Sequence, residues 1–198
     1  MIAWASQQPS WAIGFGDEVW WSRFALPQMH AWHSQDQPWR KDDPDPKALA
    51  CYGVLWQHGT PDEPDRSQAW LRFVTGRPVS AITPQFLEWC CEGLQKLGKT
   101  NWLLIWDNAS WQKSQAVRTW IRQHNQQVKQ TGTGVRILPL LLPTQSPWLN
   151  PIEPKWVHAR RNVVELDGLL TAHQLAERVC AYFGWSSEPH LIIPEKVS

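Results

Sequence analysis

Residues 101–107, Asn-Trp-Leu-Leu-Ile-Trp-Asp, constrain the fold more than any other stretch of this chain. An apolar run with no polar face, closed by an acid, is the pattern of a strand buried on both sides, and such a strand requires a sheet covered on each face. The cover is legible on either side of it. Upstream, Thr83 reads as an N-cap with Pro84 in the first turn, and Leu87, Cys90, Leu94 and Leu97 recur at helical spacing until Gly98 stops the pattern. Downstream, Val117, Trp120, Ile121 and Val128 make one apolar stripe on an otherwise polar segment over 114–128. A loop at 131–134, a second buried strand over 135–142 and helices over 152–164 and 171–183 follow.

The front of the chain reads differently. Residues 11–16 are apolar, Asp17-Glu18 interrupts them, and Val19-Trp20-Trp21 resumes the run. Residues 23–32 alternate and are expected to pair with that strand, 34–46 are polar and proline-bearing, and 49–56 and 70–74 are strands around a turn at 58–66. Early strands spaced closely enough for hairpins, then strands separated by helices, predict one α/β domain with a mixed sheet, antiparallel first and parallel afterwards.

Composition narrows the function classes. With 198 residues the chain can bury a core of its own, and 19 basic against 18 acidic side chains give a net charge of +1, which excludes nucleic-acid affinity by bulk charge alone. The 16 tryptophans supply core anchors or stacking surfaces, and composition does not choose between them. Four cysteines without a C-x-x-C pair, two of them the neighbours Cys90 and Cys91, predict reduced thiols. The sequence shows neither a signal-peptide pattern at its start nor an apolar stretch of membrane-spanning length, so a cytoplasmic protein without a membrane partner is expected.

Asp17 and Asp107 each interrupt or end an apolar strand, where an ionised carboxylate is costly unless a cation or hydrogen bonds compensate it. In open α/β sheets ligands gather beyond the carboxyl ends of parallel strands, which is where Asp107 falls. Glu153 lies in Ser146-Pro147-Trp148-Leu149-Asn150-Pro151-Ile152-Glu153-Pro154-Lys155-Trp156. A cap explains Asn150 and a first-turn glutamate, but not the whole proline-punctuated run, which looks built to hold Glu153 in one place.

The segments FGDEVWW, LLIWDNASWQKS and LPTQSPWLNPIEPKW, in that order, resemble the catalytic core of mariner-superfamily DDE transposases, in particular the branch carried by bacterial insertion sequences. The resemblance implies an RNase H-like fold, a mixed five-stranded sheet with the first three strands antiparallel and the rest parallel, and helices on both faces. It implies that Asp17, Asp107 and Glu153 are the catalytic acids and together hold two divalent ions, Mg²⁺ or Mn²⁺, for cleavage and joining of DNA strands. Glu18 follows the first acid in the family pattern, and strand alternation is expected to send it to the opposite face. The family often has His where this chain has Gln112. Lys113, Trp148, Lys155, Arg160 and Arg161 are candidate DNA contacts, with His158 beside them, although a solvated helix face or loop packing would also account for these residues. The implied partners are transposon ends and target DNA bound by a homodimer, in the bacterial cytoplasm and on the nucleoid.

Residues 1–198 read as a single catalytic domain, with too few residues before Asp17 for the upstream helix-turn-helix modules of the family, so weak and unselective DNA binding is expected of it. Two other functions were weighed. A catalytically silent remnant that only binds DNA or dimerises is opposed by the intact acids. A tryptophan-rich carbohydrate-binding or glycosidase domain leaves 150–156 and the strand-end acids unexplained.

Overall fold

The computed structural model describes residues 1–21, 49–57, 67–74, 81–107, 114–144, 146–163 and 170–192. Inside its sheet lies the strand expected from the apolar run, β4 (Asn101–Trp106), in which Trp102 to Trp106 are all buried. Trp102, Leu104 and Trp106 point to one face of the sheet, and Leu103 and Ile105 to the other. The remaining strands are β1 (Trp11–Trp21), β2 (Leu49–Gln57), β3 (Ser67–Val74) and β5 (Arg136–Leu141), and the order across the sheet is β3-β2-β1-β4-β5. β1, β2 and β3 pair antiparallel, while β4 lies parallel to both β1 and β5, so the mixed topology is as expected.

Among the described residues, four helices besides the short α1 (Ile2–Ala5) cover the sheet. α2 (Thr83–Lys96) and α3 (Gln115–Thr131) close one face over Trp56, Trp70, Trp102 and Leu104. α4 (Ile152–Val163) and α5 (Ala172–Phe183) close the other over Val19, Trp21, Leu71 and Phe73. Ends are set by local chemistry: Ser114 Oγ accepts from Val117 N to cap α3, and Thr171 and Gln174 form a reciprocal capping box at α5. Six of the described tryptophans are buried in the core, Trp21, Trp56, Trp70, Trp102, Trp106 and Trp156, while Trp120 packs partly buried at its edge. All four cysteines are buried and unpaired.

The structure corrects several expectations. β1 is not broken by its acids but continues to Trp21, because its ladder with β2 runs on through Asp17↔Gly53 and Glu18↔Tyr52. β5 is apolar yet not buried on both faces, since it is the outer strand; Pro139, which cannot donate to a ladder, suits that edge. Ile82 rather than Thr83 is the N-cap of α2, and the Thr83 hydroxyl lies 3.3 Å from that of Tyr52 instead. Leu97 falls past the end of α2 and is exposed. The expected strand at 23–32 and turn at 58–66 lie outside the described residues. Among the described residues no helix is long and apolar enough to cross a membrane.

Candidate active site

The parallel pairing of β1 and β4 fixes the first two acids. Gly16 sits opposite Trp106 at the last rung of that ladder, so Asp17 and Asp107 are the next residues on neighbouring strands, at the carboxyl end of the ladder. There β4 stops, while β1 runs on beside β2 alone. Asp17 is buried and Asp107 half-buried.

The segment after β5 brings in the third acid. Leu142 N donates to Trp106 O at 2.8 Å, a 3-10 turn forms at Pro147–Leu149, and the buried Asn150 donates from Nδ2 to Gly16 O at 3.2 Å. Asn150 therefore pins the start of α4 to β1, one residue from Asp17. Glu153 stands in the first turn of α4, where the helix N-terminus favours a carboxylate, and its N–H donates to Asn150 O at 3.1 Å. Three residues on, Trp156 Nε1 donates to Asp17 Oδ2 at 2.8 Å.

Carboxylate oxygens of Asp17, Glu18 and Asp107 all lie within 4.8 Å of one another. Burial, followed by the charges of Glu153, Glu18 and Asp107, pushes the Asp17 carboxyl up to about 8, against a smaller lowering by the Trp156 N–H. Glu153 is also raised, by burial and then by Asp107, with Arg160 acting in the opposite direction. The three expected acids thus form one electrostatic unit. Glu18 joins it, contrary to the expectation that alternation would remove it. Its backbone does face away, in register with Tyr52, but beyond Gly16 the strand has lost β4 as a neighbour and a glutamate is long enough to reach round that open edge. The adjacent Asp-Glu pair was the available sequence signal.

This donor set fits a hard divalent cation. Grouped carboxylates, one of them buried and held largely protonated at neutral pH, are what such an ion is bound by and would compensate. Of the candidate DNA contacts, Lys155, Arg160 and Arg161, with His158, are exposed on α4, and Arg160 is braced by a 3.1 Å bond from Nη2 to Trp20 O. Trp148 is 74% exposed on the 3-10 turn and is not packed beneath its loop. Lys113, Trp111 and Gln112 lie outside the described residues.

Sheet order, helix placement and strand-end acids define the RNase H-like class. Solved structures of that fold are similar at low identity. The Mos1 transposase paired-end complex with left transposon end has a TM-score of 0.55 and 16% identity over 88% of this chain and 48% of the other. The Mos1 strand transfer complex gives 0.52 and 12% over 90% and 48%, and the mariner Mos1 paired-end complex with Mg gives 0.51 and 14% over 88% and 48%. The chain therefore spans about half the length of the solved chains it matches. Among curated proteins no sequence matches it significantly. The profile of the DDE superfamily endonucleases matches residues 66–175, more than half of the chain, and the protein belongs to that family. The matched span includes Asp107 and Glu153; Asp17 is joined to them by the fold.

Proposed function

We propose that this is the catalytic domain of a transposase that cleaves DNA strands and transfers them to target DNA with divalent-metal assistance. The observation that carries the reading is the convergence of Asp17, Asp107 and Glu153, with Glu18, at the carboxyl end of the β1–β4 pair in a DDE-family domain. Asp17, Asp107 and Glu153 would hold two Mg²⁺ ions, with Glu18 as a further oxygen donor, and Mn²⁺ would be accepted by the same hard ligands. When bound, the ions supply the Lewis acidity and the oxygen activation that in-line displacement at phosphorus requires. The chain's own residues do the rest. Arg160, braced against β1, and Lys155 and Arg161 on the same helix meet backbone phosphates beside the acids, and exposed Trp148 offers a face on which a base can stack. Lys113, six residues after Asp107, belongs to the same proposed contact set.

Joining two transposon ends calls for two copies of the site, hence a homodimer on DNA. On the three sequence segments we further propose an insertion-sequence element as its source, working on nucleoid DNA in a bacterial cytoplasm. The test is nicking of supercoiled plasmid and of duplexes with candidate terminal repeats, with Mg²⁺ or with EDTA. Wild-type protein should nick only with metal and Asp107→Asn should lose the activity. Nicking that survives EDTA, or an Asp107→Asn variant that nicks normally, would refute the mechanism; DNA binding without any cleavage would favour the silent-remnant reading.

A further inference from the structure

Trp156 makes a contact that core packing does not require. Its ring is 2% exposed, yet Nε1 donates at 2.8 Å to a carboxylate oxygen of Asp17. Trp56 and Trp102 are as deeply buried in the same protein and, among the described residues, their indole N–H groups have no hydrogen-bond partner, so the described core holds buried indoles without one. The direction of Trp156 is fixed from three sides. Trp21 meets it edge-on at 6.1 Å and 90°, and Phe183 at 5.3 Å and 73°. The third side is Gly53, the register partner of Asp17 on β2, where a Cβ would lie 2.5 and 2.6 Å from ring atoms of Trp156 and 3.2 Å from Ile152. The strand beside Asp17 thus gives up its side chain where the indole passes over it.

We infer that Trp156 is a positioning residue for the acid site: its N–H fixes one oxygen of Asp17, and Gly53 is the notch that admits it. The inference rests on the proposed metal-dependent reading. Oδ2 is held by the indole, and Oδ1 is left uncommitted to it. The donor is neutral, so it orients the carboxylate without cancelling the charge that a cation would be bound by, as an Arg or Lys in its place would. Trp156 also follows Glu153 by three positions on α4, so the same bond sets the placement of the helix bearing the third acid against the strand bearing the first.

The experiment replaces Trp156 in the full chain with benzothienylalanine, which keeps the ring shape and puts sulfur where the N–H was. Mg²⁺ binding is read by calorimetry and unfolding is followed in EDTA. Supporting outers of a metal site typically change affinity by 10–100-fold when removed, and a loss of at least tenfold in Mg²⁺ affinity is expected here, with the unfolding temperature little changed. The same replacement at Trp102, whose N–H has no partner, should leave Mg²⁺ affinity at the wild-type value. Gly53→Ala, which keeps the N–H but displaces the ring, should also weaken Mg²⁺ binding, and it decides the matter if the isostere does not fold. Wild-type affinity in either Trp156→benzothienylalanine or Gly53→Ala would overturn the inference and leave the metal site standing. A wild-type protein that binds no Mg²⁺ would overturn both.

Discussion

Removing the charge of Asp17 should stabilise the metal-free protein, by an amount that depends on pH. Asp17 is 8% exposed, and burial with three neighbouring acids moves its carboxyl from 3.8 to about 8. Between those values the folded chain holds a proton that the unfolded chain has released, so stability falls as pH rises from about 4 to about 8, and the loss is complete above the folded value. At about 1.4 kcal/mol per tenfold change in proton activity, the whole span amounts to roughly 5–6 kcal/mol. That is comparable to the net stability of a domain, typically about 5–15 kcal/mol. Asp17→Asn can still accept from Trp156 Nε1 but cannot ionise. In EDTA at pH 8 it should be more stable than wild type by several kcal/mol, or about 10–20 °C in unfolding temperature for a chain of this size. At pH 4 the two should coincide. Mg²⁺ added at pH 8 should recover part of the wild-type loss and stabilise Asp17→Asn less, since that variant lacks one of the carboxylates. Denaturation followed by circular dichroism from pH 4 to 9 measures this, and a wild-type stability that stays level or rises with pH across the window would refute the account.

Asn150→Ala should cost about 0.5–1.5 kcal/mol, because the bond from Asn150 Nδ2 to Gly16 O is buried and would be lost; urea unfolding measures it, and Mg²⁺ binding should weaken as α4 loses its tie to β1. Thr171→Ala removes the capping box at the start of α5 and should cost about 0.5–2 kcal/mol without changing Mg²⁺ affinity, since α5 carries none of the acids.

The parts of the site that follow from backbone periodicity were legible in the sequence. An apolar run ending in Asp107 locates a central parallel strand and the end at which ligands collect, and the density of special residues over 147–156 marks a segment held against something. What periodicity does not contain is the list of neighbours. β5 reads as buried because Ile137, Leu138, Leu140 and Leu141 are apolar, but exposure depends on whether another strand lies outside it, and among the described residues none does. Glu18 was misjudged for a related reason. Alternation gives the direction of its Cα–Cβ bond, whereas the position of its carboxylate depends on where β4 ends. Gly53 carries no signal as a single glycine in a strand; its meaning comes from Trp156, more than a hundred residues later.

That separation bears on how the site is kept. Asn150 reaches Gly16 and Trp156 reaches Asp17, across 134 and 139 residues of chain, so two adjacent residues of β1 receive two adjacent turns of one segment. Both bonds come from neutral donors, and the small lowering that the Trp156 N–H gives Asp17 leaves most of the repulsion among Asp17, Glu18, Asp107 and Glu153 in place. Without metal, the group relieves it by keeping a proton on Asp17; a divalent cation held by these oxygens would take the place of that proton. Proton and cation therefore compete for one group of oxygens. A ligand at a hundred times its dissociation constant contributes about 2.7 kcal/mol to stability, less than the roughly 5–6 kcal/mol that full ionisation of Asp17 would cost. At moderate Mg²⁺ and pH below 8 the folded chain would thus be held by a shared arrangement of proton and ion, and the long-range clamp from α4 keeps the acids together with either.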